Sequence, residues 1–169
     1  MGLDMYAYTI KASLVQGMPD TDVKVHQLAS PATGFKDMTD EQLADATEEQ
    51  IKNYYAEQRE AGDKARREDI ANTDFWYWRK FNALHGWMND LYNKKGGVDD
   101  FNCATVRLTL EDLEALQEAA DGNKLEPRLG FFWGGDTIYP EDLDNLKDFI
   151  AAAKAEIASG QAVFYDSWW

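Results

Sequence analysis

Histidine is the side chain best suited to moving a proton near neutral pH, and this chain has two, His26 and His85. His26 falls in a stretch punctuated by Gly17, Pro19, Pro31 and Gly34, whereas His85 lies inside the aromatic-rich segment FWYWRKFNALHGWMNDLYNKK that begins at Phe75. Within it Trp78, Asn82, His85 and Asn89 recur at spacings of four, three and four, so a helix would place an indole, an amide and an imidazole on one stripe beside Arg79. That stripe suits the grip of a planar or polar ligand. Packed against a sheet edge, the same polar groups would instead bond neighbouring carbonyls, as buried polar groups must. Residue types alone leave both readings open.

A nucleophile is harder to find. No serine or cysteine sits in a strand-turn-helix elbow, and Cys103 would act only if a neighbouring His85 served as its base in an electropositive setting. Hard cations want several carboxylate oxygens, yet Asp99, Asp100, Asp136, Asp142 and Asp166 have neither EF-hand nor two-metal spacing. Asp99, Asp136 and Asp142 also stand at turn or helix-start positions, where aspartate bonds local backbone. Gly134-Gly135 lacks the Lys-Ser/Thr that follows a phosphate loop. The expectation is a protein with no catalytic set, no cofactor and no metal.

Composition narrows the partners. With 31 acidic against 17 basic residues the formal charge is −14, which repels phosphate backbones and argues against direct nucleic-acid binding. An acidic surface suits solubility, docking onto a basic protein face, or imitation of the charge of DNA. One cysteine excludes an intrachain disulfide and a cysteine zinc site, so a reducing compartment is expected. No basic n-region with an apolar h-region opens the sequence, and no apolar run approaches a membrane span. These features predict a soluble cytoplasmic protein of one domain over residues 1–169.

The elements that must position these groups follow from periodicity. Residues 3–10 read as a strand with Leu3, Met5 and Ala7 on one face and Tyr6, Tyr8 and Ile10 on the other. Residues 16–36 read as a loop with a short strand near 23–26. Thr39-Asp-Glu-Gln42 is a capping box opening a thin-faced, acidic surface helix to about residue 67. From Phe75 to about Lys94 a central helix is predicted, its core stripe running through Tyr77, Phe81, Leu84, Met88 and Leu91. Ala104, Val106 and Leu108 mark a strand, and Thr109 caps a helix ending near Gly122. Residues 128–139 read as a hairpin turning at Gly134-Gly135-Asp136, with Phe131, Phe132 and Trp133 on its faces. Pro140 starts a helix to Gly160, and 161–168 finish as a strand. The order predicts an α+β fold, a largely antiparallel sheet with helices packed on one side.

Several segments together resemble a family of small proteins common in phage and prophage genomes. Its members open MGLDMY and continue with a YWRKxNxIHxW helix, a GVDD-type turn, a GFFxG hairpin and an aromatic strand ending in SW. The counterparts here are Met1 to Tyr6, Tyr77 to Trp87, Gly97 to Asp100, Gly130 to Gly134 and Phe164 to Trp168. The chain departs at Phe81, where the family has a smaller residue, and at Leu84, where it has Ile. No family pattern covers residues 16–70, so the 39–67 helix reads as an elaboration. The family has no established activity, and the resemblance implies a phage-type setting, a bacterial host cytoplasm and a fold, without catalytic residues.

The combined expectation is a non-enzymatic accessory binding protein that engages a host or phage protein, with counter-defence inhibition as its natural job. The ligand or partner surface is expected at Trp78, Arg79, Asn82, His85, Trp133 and Trp168. The alternative is a protein that binds or sequesters a small ligand such as a signalling nucleotide, and an enzyme comes third.

Overall fold

A computed structural model describes residues 2–29, 38–67, 70–131 and 133–169. Residues 30–36 of the expected loop, and Phe132 of the expected hairpin, lie outside the described residues. The elements in chain order are β1 (Asp4–Lys11), α1 (Val25–Ala29), α2 (Asp40–Asp45), α3 (Glu48–Arg67), β2 (Ala71–Arg79), α4 (Asn82–Lys94), β3 (Val106–Leu108), α5 (Leu110–Asp121), α6 (Pro140–Ala158) and β4 (Gln161–Trp168). The four strands form one antiparallel sheet in the order β2-β1-β4-β3, so the fold is α+β.

Strand β1 lies at the centre because both its faces are apolar. Leu3, Met5 and Ala7 point into the larger core, where they meet Val163 and Tyr165 of β4, Val106 and Leu108 of β3, and the inward stripes of three helices. Those stripes are Leu84, Met88 and Leu91 on α4, Leu113 and Leu116 on α5, and Leu146, Phe149, Ile150 and Ala153 on α6, all at helical spacing. The opposite face carries Tyr8, Ile10, Ala162 and Phe164 and is covered by the segment after β1 through Val15, Val23, Val25 and Leu28. The predicted alternation of β1 is therefore the division between two cores.

Four sequence expectations are corrected. The segment from Phe75 is not helical at its start: residues 71–79 form β2, and the helix begins only at Asn82. Four consecutive aromatics favour a pleated surface, β1 supplies backbone partners for them, and Lys80, with a φ of 59°, breaks the chain between strand and helix. Tyr77 consequently leaves the core stripe and is half exposed, while Phe81, Leu84, Met88 and Leu91 keep their buried places. The acidic helix is two helices, because Ala46 is extended and Thr47 starts a second capping box with Gln50. The first box, Thr39 with Gln42, forms as expected. Residues 25–29 are a turn of helix where a strand near 23–26 was expected. No strand pairing is present among the described residues of 128–139, which form an irregular strap across α4.

One polar cluster ties the helical layer to the far side of the sheet. Lys95, just past α4, reaches Asp112 at 2.5 Å, Asp20 at 3.2 Å and the carbonyl of Arg107 at 2.7 Å. Asp112 in turn caps α5 through the amide of Thr109. The Lys95 ammonium is mostly removed from water, so deleting it leaves Asp112 and Asp20 without their shared cation. Lys95→Met is expected to lower stability by roughly 3 kcal/mol, read as a shift in the urea-unfolding midpoint at pH 7.

Candidate functional site

The six residues expected to form a ligand or partner surface separate into two groups on opposite sides of the sheet. Trp78, Asn82, His85 and Trp133 lie on the helical side. Trp78 alternates inward from β2 and packs edge-on to Phe149 of α6, with ring centroids 4.7 Å apart. It shares no helical stripe with Asn82, since it precedes the helix.

Asn82 and His85 face the strap that runs over α4. The Asn82 amide donates to the carbonyl of Gly135 at 2.6 Å, and Gly134 takes the positive φ this approach requires. Trp133 sits edge-on to the His85 ring at 4.7 Å, and Arg128 crosses Gly86 to pair with Asp90. A Cβ at Gly86 would stand only 2.7 Å from the Arg128 side chain, so glycine is what allows the strap to lie this close. The polar stripe on α4 thus anchors the strap. Asn89, its fourth member, accepts from the Asn93 amide one turn along the helix.

His85 is fully buried. Its ring stacks on Phe101, and its Nδ1 lies 3.0 Å from the Tyr165 hydroxyl, while Nε2 has no hydrogen-bond partner among the described residues. Burial, helped by the positive charge of Arg128, pushes the His85 pKa down from 6.5 to about 4. Burial holds the Tyr165 hydroxyl well above its ordinary range, so it keeps its proton and can donate to Nδ1. The pair is a core contact between neutral partners, with Nδ1 bonded and the ring proton left on Nε2, which has no partner among the described residues. Cys103, offered as a nucleophile for His85, is exposed, and its amide donates to the carbonyl of Ser167 at the edge of β4.

Arg79 and Trp168 emerge together on the other side, opposite the helices. Antiparallel register sets Arg79, Asp4 and Trp168 directly across from one another on β2, β1 and β4, and sets Tyr77, Tyr6 and Asp166 in the next row on the same face. Tyr77 is 50% exposed, Trp168 54% and the Arg79 side chain 57%. The Tyr77 hydroxyl donates to Asp4 at 2.5 Å, Arg79 lies 3.6 Å from the same carboxylate, and the Tyr6 and Tyr77 rings are 5.4 Å apart. Sequence reasoning missed Asp4, Tyr6, Tyr77 and Asp166 as members of this patch. Alternation in β1 already placed Tyr6 there, but only register brings the other strands beside it.

Asp166 is the unusual group of the patch. It is half-buried, its Oδ1 takes the amide of its own neighbour Ser167 at 2.6 Å, and no cation stands within ion-pair distance among the described residues. Burial raises its pKa from 3.8 to about 6, against the smaller lowering effects of the Ser167 amide and Lys24. Among the described residues no group of three His, Cys, Asp or Glu side chains is placed to hold a metal ion, and no helix is long and apolar enough to cross a membrane.

Comparison with known proteins finds nothing: no family model, no curated protein and no solved structure matches the chain.

The two shifted groups give stability opposite pH dependences. Unfolded His85 takes up a proton near 6.5 and folded His85 only near 4, so stability falls as pH drops between those values, by up to roughly 3 kcal/mol. Folded Asp166 holds its proton up to about pH 6 where the unfolded group has lost it from 3.8, so its stabilising contribution is present below about pH 4 and lost as pH rises through 6. Asp166→Asn is expected to stabilise the protein by roughly 1–3 kcal/mol at pH 7.5 and by little at pH 4. His85→Phe is expected to flatten the loss of stability between pH 7 and 5. Urea unfolding of both variants at three pH values checks the pair.

Proposed function

We propose that the protein is a non-enzymatic accessory binding protein of phage or prophage type, which holds a host or phage protein against its acidic surface. The observation that carries this reading is the distribution of its charge. On the outer sides of α5 and α6 the acids Glu114, Glu118, Asp121, Glu141, Asp144 and Asp148 are all exposed. Lys147 is the one exposed cation on those two helices, and it is tied to Asp121 at 3.3 Å. Such a layer raises the encounter rate with a basic protein face and repels nucleic acid. Counter-defence inhibition is a job for which this surface is suited, and the phage-type setting rests on the sequence resemblance.

The side chains with most chemical potential on the helical side are occupied by packing. His85 is neutral and enclosed, and Asn82 is bonded to the strap. The same facts weaken the small-ligand alternative, since Trp78, Asn82 and His85 offer little surface to a guest.

The test is capture from nuclease-treated host lysate on the tagged protein, washed at low and then high salt, with mass spectrometry of the retained material. A specific protein held at low salt and released at high salt is expected, because exposed charge pairing is screened as the Debye length shrinks. Retention of no specific protein at either salt would overturn the reading.

A further inference from the structure

The sheet face opposite the helices has a corner whose chemistry internal packing leaves unused. Asp4, Asp20 and Asp112 each have a lysine or arginine within 4 Å, but Asp166 has none among the described residues. Its carboxylate accepts only a local backbone amide, and no hydrogen bond reaches the second oxygen, Oδ2, among the described residues. Tyr6 stands beside Asp166 in the same row, and Trp168 lies two residues further along the same strand on the same face. Neighbours in such an array are separated by roughly 5 Å across strands and 7 Å along one. A cation resting over Asp166 therefore falls within the roughly 6 Å at which the Tyr6 face attracts it, and Trp168 borders it one strand repeat further on.

We propose that this corner, the Asp166 carboxylate between the rings of Tyr6 and Trp168, seats one lysine or arginine side chain from a basic segment of a partner protein. The cations nearby do not fill it: Lys24, whose charge reaches Asp166, forms no ion pair with it among the described residues, and Arg79 lies at the far end of its row, with Asp4 between it and Trp168. A carboxylate moved out of water without a counter-ion destabilises the fold, and an incoming ammonium or guanidinium reverses that cost while stacking on exposed indole. The −14 charge draws in a basic segment and disfavours an anionic guest. This inference rests on the reading of the protein as a binder of a basic partner and names the residues that select it, on the side of the sheet away from the acidic helices.

Titration calorimetry of the full chain with a hexa-arginine peptide, and with hexa-glutamate as control, tests it separately from lysate capture. Asp166→Asn is expected to weaken hexa-arginine binding roughly tenfold and Trp168→Ala roughly threefold or more. Asp144→Asn, which removes the same charge from the outer side of α6, is expected to change it less than about twofold. Unfolding temperatures show that each variant is folded. Cys103, the single cysteine, is exposed, and its amide donates to the carbonyl of Ser167, the residue between Asp166 and Trp168. Bound peptide should slow maleimide labelling of Cys103 in the unsubstituted protein and not in Asp166→Asn. Equal weakening by Asp166→Asn and Asp144→Asn, or labelling unaffected by saturating peptide, would overturn the corner even if lysate capture yields a basic partner.

Discussion

The structure depends on β1 being paired along both edges. Its eight residues divide the interior: alternate side chains enter the helical core or the smaller core beneath residues 12–28. A slip of one residue would exchange Met5 and Ala7 with Tyr6 and Tyr8 and ruin both at once, so hydrophobic burial on two sides fixes the register far more firmly than one buried face could. That register sets Arg79 and Trp168 on either side of Asp4, and Tyr77 and Asp166 on either side of Tyr6. The open patch is a by-product of the same ladder that organises the cores.

Helix α4 shows how polar residues are absorbed by construction. Its inner stripe fills the core, and its outer stripe receives a Gly-rich strap whose described residues form no strand. Asn82 takes the strap's carbonyl, His85 receives Trp133, and Gly86 admits Arg128. Arg128, placed there to meet Asp90, also helps keep the buried imidazole neutral. The contrast with Asp166 is physical: one buried titratable group is held in its uncharged form by everything around it, and the other retains a charge at neutral pH that little around it favours.

Much of this was legible in the sequence. Capping boxes at Thr39 and Thr109, proline at the start of α6, the apolar stripes of α5 and α6 and the alternation of β1 depend on neighbours a few residues apart, and they form where local chemistry places them. The box at Thr47, which divides the acidic helix, was readable by the same rule from Thr47-Glu-Glu-Gln50. The segment Phe75–Arg79 was not, because helical spacing of Tyr77 and Phe81 coincided with strong strand-forming residues, and only the availability of β1 decides between them. The sheet-face patch could not be read at all, since its six members come from three strands and are joined only by register.

The pairing of β1 with β4 sets Asp4 opposite Trp168, which brings together positions near the two ends of the sequence. During synthesis β1 precedes every other element of the fold, and it must wait for β4, the last of them, before its second edge is covered. Until β4 has been made, the edge of β1 that it covers stays unpaired. The ladder that gives the finished molecule its order therefore makes the nascent chain slow to close, and ties the birth of this fold to whatever shields a bare strand in the cell.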